Sequence, residues 1–216
     1  MTARPSGLSV LLLDCDGVIR HWDQAQFATL ARTIGGCEPE QLAAIAFGDD
    51  LLWPAMTGAV TAEKWADEIG RRAGEHHGAD AAAVAEGFLA LGWRIDEAML
   101  AVARRVRAEG RRVAILSNAS TRLEADLDAA GVTDEVDEIL SSARMGVAKP
   151  DIAVYHEAAR RLGVDPAECL FVDDQPRNVD GARAAGMAAE VFMGAPSLVT
   201  LLTQTGLLTS NPNSRQ

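Results

Sequence analysis

The chain has 216 residues, 48% of them hydrophobic and 24% charged, which suits one medium domain or a core with a subdomain at roughly 100–200 residues per domain. Its net charge of −11, from 31 acids against 20 bases, argues against a nucleic-acid partner, because phosphate backbones need a basic face. No apolar run approaches the ~20 residues that span a bilayer, so no membrane partner is expected. The three cysteines, Cys15, Cys37 and Cys169, are odd in number and far apart, unlike a disulfide framework or a zinc site. The start "MTARPSG" carries no apolar segment of signal length, and the cytoplasm is the expected compartment.

In chain order, strand and helix signals alternate. Val10 to Leu13 reads as the first strand. Arg112 to Leu116, Glu138 to Ser141, Leu170 to Val172 and Ala189 to Phe192 read as four more. Between the strands run amphipathic segments that stop at glycine: Asp96 to Glu109 before Gly110, Thr121 to Ala130 before Gly131, Asp151 to Leu162 before Gly163, and Pro176 to Ala185 before Gly186. Glycine just past a helix takes the left-handed cap conformation without steric cost. The alternation predicts an α/β fold: a Rossmann-like, mostly parallel sheet with helices on its faces.

One region breaks that order. From Asp23 to Trp93 only helical signals occur, as in "DQAQFATLARTIG", "EPEQLAAIAFG", "TAEKWADEIGRRAG" and "ADAAAVAEGFLALG". The stretch is too long for a crossover, and loops of such length usually carry function. The expected division is a catalytic core from residues 8–20 and 94–205, a small helical cap or lid over 21–93, and a frayed tail over 206–216. Trp22, Phe27, Trp53, Met56 and Trp65 of the cap fit core packing at helical spacing better than a pocket.

Polar groups sit at consecutive strand ends: Asp14 after the first, Ser117 and Asn118 after the second, and Asp173 and Asp174 after the fourth. The loop "SARMGVAKPD" after the third strand delivers Lys149. In open α/β sheets, ligands bind outside the carboxyl ends of strands, so these groups should converge on one edge. Lys149 is one of only two lysines beside eighteen arginines, which fits a site that needs a compact point charge rather than a planar fork.

Asp14, Asp16, Asp173 and Asp174 would put three or four negative charges at that edge, which a low-dielectric cleft tolerates only if they are neutralised. A hard divalent cation answers this, and carboxylate oxygens with carbonyls and water are the ligand set of Mg²⁺. With Mg²⁺ and Lys149 the site can accept a phosphate dianion. Asp14 is then placed to attack as nucleophile, and Asp16 to act as general acid and base. Gly17 lets the chain turn, and Cys15 is read as a small buried filler.

"LLLDCDGVI", "ILSN", "KPD" and "FVDDQPRNVDGARAAGM" together resemble the four ordered motifs of the haloacid dehalogenase-like superfamily, in members with a helical cap after the first motif. The resemblance runs from Leu8 to about Gly194. It implies a Rossmann-like core, Mg²⁺ dependence and an aspartyl nucleophile. It casts Asp14 as nucleophile and metal ligand, and Asp16 as acid–base group and backbone-carbonyl metal ligand. It further implies Ser117 and Asn118 as the phosphate-binding pair, Lys149 as charge stabiliser, Asp174 as metal ligand, and Asp173 and Asn178 as their supports. The stretch "MTGAVTAEKWADEI" also resembles the caps of small sugar-phosphate phosphatases and of the phosphatase domain of soluble epoxide hydrolases.

Within that family the dehalogenases lack the second aspartate of the first motif, so Asp16 points to phosphoryl transfer to water. The expected activity is Mg²⁺-dependent hydrolysis of a small phosphorylated metabolite, a sugar phosphate among the candidates, through an aspartyl-phosphate. A phosphomutase shares the four motifs, and a haloacid dehalogenase shares the fold. A receiver-type signalling domain uses similar residues, but it lacks a helical insert and carries its acidic pair after the first strand; here the pair follows a late one. Substrate identity and oligomeric state stay open at this level.

Overall fold

The computed structural model describes residues 7–209. Strand β1 (Val10–Leu13) is followed by a short β2 (Arg20–Trp22). Five helices come next: α1 (Gln24–Thr33), α2 (Pro39–Ala46), α3 (Asp49–Met56), α4 (Ala62–His77) and α5 (Ala81–Leu89). Then follow β3 (Trp93–Ile95), α6 (Glu97–Ala108), β4 (Arg112–Ser117), α7 (Leu123–Ala129), β5 (Glu138–Ser141), α8 (Ser142–Met145), α9 (Ile152–Leu162), β6 (Cys169–Asp173), α10 (Pro176–Ala184), β7 (Ala188–Val191) and α11 (Ala195–Gln204).

Local chemistry sets the helix ends. Asp23, Asp80, Asp96 and Asp151 each accept N–H bonds from the first turns of α1, α5, α6 and α9, a cap typically worth about 1 kcal/mol. At the other end of α9, Gly163 closes the helix at φ +67°, where a Cβ would be strained.

Five strands form one parallel sheet in the order β5-β4-β1-β6-β7. The central strand β1 is buried along its whole length, as expected of a parallel strand covered on both faces, and it therefore reads as an unbroken apolar run. One face packs Leu11 and Leu13 with Met99 of α6 and Leu198 and Leu202 of α11. The other packs Val10 and Leu12 with Val154 and Tyr155 of α9 and Val179 of α10. The expected α/β, Rossmann-like architecture is present, and the sheet is parallel throughout.

The helices α1–α5 have their own apolar cluster, around Leu42, Trp65 and Ile69, and Ala148 from the core joins it. They are framed by β2 and β3, an antiparallel pair with Trp22 opposite Trp93. A second fastening lies further along: the Ser142 hydroxyl donates to Met56 O at 2.5 Å, and Ala62 N–H donates to Thr121 Oγ1 at 3.1 Å.

Several elements depart from the sequence reading. The region from Asp23 to Trp93 is not purely helical, because Trp93 belongs to β3. The loop after β5 contains the single turn α8, α3 is a separate helix within the stretch read as helical, and α11 forms where no element was expected. The tail expected over 206–216 is ordered at its start: Leu207 and Leu208 are buried against α11 and α6, because two adjacent leucines remove apolar area from water. Thr209 donates to Glu109 at 2.8–2.9 Å. Residues 210–216 lie outside the described residues. Among the described residues, no helix is long and apolar enough to cross a membrane.

Candidate active site

The parallel register brings the strand ends level. Leu13 pairs with Ile115 of β4 and Val172 of β6, so Asp14, Ser117 and Asp173 leave the sheet at one edge. The chain runs outward from β1 to β4 and β5, then returns to β6 and β7 on the other side. This is the switch point where open α/β sheets bind ligands.

Lys149 ties the edge together. Its ammonium, only 1% exposed, donates to Asp14 Oδ1 at 2.7 Å, Asp173 Oδ2 at 2.6 Å and Leu116 O at 2.9 Å. All three donors of the ammonium are used. The two carboxylates hold the Lys149 pKa above its ordinary value, although burial pulls the other way. Burial pushes Asp14 up to about 7; Lys149 opposes this and Asp173 adds to it. One lysine thus leaves part of the negative charge uncompensated.

Asp14 also accepts from Cys15 N–H at 2.7 Å, again through Oδ1. Its Oδ2 makes no hydrogen bond among the described residues. Asp173 is fully engaged: Asn178 donates to both of its oxygens at 3.1 Å, and Gln175 N–H donates to Oδ1 at 2.7 Å. Burial raises the pKa of Asp174. Ser117 Oγ is buried with no hydrogen-bond partner. An orphaned buried hydroxyl is costly, and an anion accepting from it would remove that cost.

The turn after Asp14 is tight, with Cys15 O accepting from Val18, Ile19 and Arg20 N–H. Gly17 sits there at φ +90°, and a Cβ would overlap Asp174 Oδ2. Cys15 is buried and its thiol pKa is pushed up by burial, as a packing residue's would be. The turn returns the chain as β2, and Arg20 donates to both oxygens of Asp16 at 2.7 and 3.0 Å. Trp22 Nε1 adds a bond at 2.9 Å. The Asp16 carboxylate therefore faces the β2–β3 pair and not the Asp14–Lys149 cluster.

The structure brings Asp14, Ser117, Lys149, Asp173, Asp174 and Asn178 to one place. Asn118 is there too, but its amide is bound to the backbone of Lys149: Nδ2 donates to Lys149 O at 2.8 Å, and Lys149 N–H donates to Oδ1 at 2.7 Å. It orients the backbone of the lysine loop. Carboxylate oxygens of Asp14, Asp173 and Asp174 lie within 4.8 Å of one another. Oxygen donors, residual negative charge and a glycine that keeps Asp174 close all fit a hard divalent cation. Asp173 already serves Lys149 and Asn178, so Asp14 and Asp174 are the side chains left to hold one.

A cavity of about 620 Å³ opens above this edge, between core and insert, with Asp16, Asn118 and Ser120 on its wall. Trp22, Phe27, Met56 and Trp65 line it as well. These residues were expected as core, and Met56 and Trp65 do belong to the insert's cluster, yet all four also form pocket wall. Trp53 is exposed elsewhere. Arg20, Phe47, Phe88, Trp93 and Arg122 of the wall were not anticipated. The one sequence signal was an arginine inside the apolar run "GVIRHW".

A buried lysine between two carboxylates, beside an unpartnered serine hydroxyl at the switch point of a parallel sheet, lies where an α/β protein binds its ligand. Comparison gives the particular family: residues 8–186 match the haloacid dehalogenase-like hydrolases, and the chain belongs to that family. A phosphatase of Mycobacterium tuberculosis, MT3486, is 45% identical over 85 residues, 38% of this chain and 39% of that one. An (S)-2-haloacid dehalogenase of a Pseudomonas species is 38% identical over 84 residues, 38% of this chain and 36% of that one. Each match thus spans under half of the relative's length. A solved HAD-family enzyme of Bacteroides thetaiotaomicron, in complex with magnesium and inorganic phosphate, superposes with a TM-score of 0.69 at 22% identity, covering 86% of this chain and 94% of that one. At that identity the likeness is one of fold.

Proposed function

We propose that the protein is a Mg²⁺-dependent phosphatase that hydrolyses a small phosphorylated metabolite through an aspartyl-phosphate on Asp14. The observation that carries this reading is a second carboxylate, Asp16, on the wall of the cavity where a leaving group would sit. Hydrolysis of a carboxylic ester intermediate needs no such group, whereas a phosphate ester's leaving oxygen needs a proton.

Asp14 has one oxygen fixed by Lys149 and Cys15 N–H, and the free Oδ2 attacks phosphorus. Ser117 Oγ and the Asn118 backbone bind the phosphoryl oxygens, and Lys149 stabilises the charge that develops on them. Asp16, held here by Arg20 and Trp22, must turn from them and carry a proton to give to the leaving oxygen, and then takes one from the water that opens the aspartyl-phosphate. Asp14 and Asp174, with the Asp16 carbonyl, would hold Mg²⁺; when bound it neutralises the carboxylates and polarises the phosphoryl group. The helical insert over 21–93 acts as the cap that closes the cavity over the leaving group.

Asp16→Asn tests the assignment, since it keeps size but removes proton transfer, a contribution typically worth about 10²–10⁴-fold. Steady-state phosphate release from an alkyl phosphate should fall by that much. With acetyl phosphate, whose leaving group needs little protonation, a mass increase of one phosphoryl group should build up on Asp14. Near-normal turnover of alkyl phosphates by the variant, or wild-type halide release from a 2-haloacid in place of phosphate release, would return the chain to the dehalogenase reading.

A further inference from the structure

The chain has ten aromatic residues, and six of them line the cavity above the candidate site: Trp22, Phe27, Phe47, Trp65, Phe88 and Trp93. Core packing does not account for them all. Phe47 is 48% exposed and Trp22 38% exposed, although both stand among other rings. Phe47 lies 6.0 Å from Phe27, 6.2 Å from Trp65 and 6.4 Å from Phe88 between ring centroids, and Trp65 and Phe88 meet edge to face at 5.1 Å. Trp22 and Trp93, paired across β2 and β3, line the same cavity, with the Arg20 guanidinium 4.6 Å from the Trp22 ring centroid and 5.7 Å from that of Trp93.

The charged groups of the same wall are already satisfied by one another. Arg20 bridges Asp16 and, at 3.5 Å, Asp126. Arg122 donates to Leu89 O at 2.9 Å and lies 3.5 Å from Asp126. Asp23 uses its carboxylate to cap α1. A polyol entering here would lose water from each hydroxyl and find few unengaged partners, which is unfavourable. A flat ring would meet several aromatic side chains of the lining, each aromatic pair contributing about 0.5–1.5 kcal/mol beyond area burial. The volume of about 620 Å³ lies within the roughly 300–1,000 Å³ of small-molecule sites.

From this we infer that the substrate's leaving group carries a flat aromatic ring system, seated against the Phe47 cluster in the cavity that Trp22 and Trp93 also line, and is not a sugar. The inference rests on the phosphatase reading, because it assigns the alcohol part of the same ester.

The test compares kcat/KM for 2-naphthylmethyl phosphate and glucose 6-phosphate with Mg²⁺ present. Both are primary alkyl esters, so leaving-group reactivity does not decide the ratio. Binding of 2-naphthylmethanol is measured separately by equilibrium dialysis, which needs no turnover. The wild type should prefer the naphthyl ester at least tenfold. Phe47→Ala should reduce that preference by about tenfold and weaken naphthylmethanol binding equally, while Phe47→Leu, which keeps apolar volume without a π-face, should fall between. Equal or better hydrolysis of glucose 6-phosphate overturns the inference and leaves the phosphatase intact. Naphthylmethanol binding that weakens in Phe47→Ala, with no phosphate released from either ester, upholds the aromatic seat and sinks the phosphatase. No naphthylmethanol binding and no preference overturn the aromatic seat alone.

Discussion

The core and the helical insert build their halves of the cleft by different means. In the core, backbone register does the placing: three strand ends arrive level, and Lys149 links Asp14 to Asp173 with bonds of 2.6–2.7 Å. In the insert, side chains from separate helices meet only through their packing, and the wall they make is aromatic and partly exposed. A site fixed by the sheet cannot vary without disturbing the fold. A wall fixed by helix packing can change residue by residue, so the proposed function would place chemistry in the first region and selectivity in the second.

Removing Lys149 gives the largest expected effect and tests the core half. Lys149→Ala should lower phosphate turnover by about 10²–10³-fold, as loss of a charge-stabilising donor does. Read from sequence, Lys149 is a loop cation whose loss would spare the fold. Buried between two carboxylates, it also has a structural share, and breaking such a group typically costs about 3–5 kcal/mol. Urea unfolding of the variant should show that loss. Full stability with lost activity would mean the sheet edge tolerates its acids unaided, and the contrast between the regions would weaken.

The two halves were also unequally legible. Strands β1 and β4–β7 are runs of four to six residues broken by turns, and the periodicity found them to within a residue or two. Strands β2 and β3 have three residues each and pair only with each other, too short to show a period. Helix α3, with Pro54 inside it, lies in the stretch read as helical but does not stand out there as a separate element. Site residues on strand ends were visible because their positions follow from the backbone. What they face was not: Asp16 turns to Arg20 and Trp22, which come from β2, an element too short to show in the sequence, and Asn118 turns to the Lys149 backbone, a partner that spacing alone does not reveal. The aromatic wall was read as core because helical spacing alone does not separate a residue facing its neighbours from one facing a gap among them.

Fastening of the insert is the next point at which the contrast can be tested. Gly58 has φ +72°, and a Cβ there would overlap the carbonyl of Ala143 in the core. A backbone atom cannot yield as a flexible side chain can. Gly58→Ala should therefore cost about 1–3 kcal/mol of stability, the range for a residue held in a disfavoured conformation, read by urea unfolding. It should also shift the preference between bulky and small phosphate esters, while Mg²⁺-dependent hydrolysis of acetyl phosphate, which needs no pocket, stays near wild type. If acetyl phosphate turnover falls as far as turnover of a bulky ester, the insert is part of the chemical machinery and the division of labour is wrong.

The smallest effect concerns whether the core edge is balanced without a cation. The pKa of Asp14 is raised by burial from 3.8 to about 7. Between those values the folded protein holds a proton that the unfolded chain has released, so stability falls as pH rises through that window. Asp14→Asn removes the titrating group while keeping an acceptor for Lys149. Melted in excess chelator, the variant and the wild type should be similar near pH 4, and the variant should become the more stable as pH approaches 7. If about 1 kcal/mol of the penalty is realised, the gap is roughly 2–4 °C in Tm for a chain of this size. Adding Mg²⁺ should close it from the wild-type side, because a cation that neutralises Asp14 stabilises only the protein that has the carboxylate. Parallel melting profiles from pH 4 to 7 would show that Lys149 alone balances the edge. Divergence that Mg²⁺ reverses would show that the core's precise placement is held at a stability cost which the insert's apolar wall does not bear.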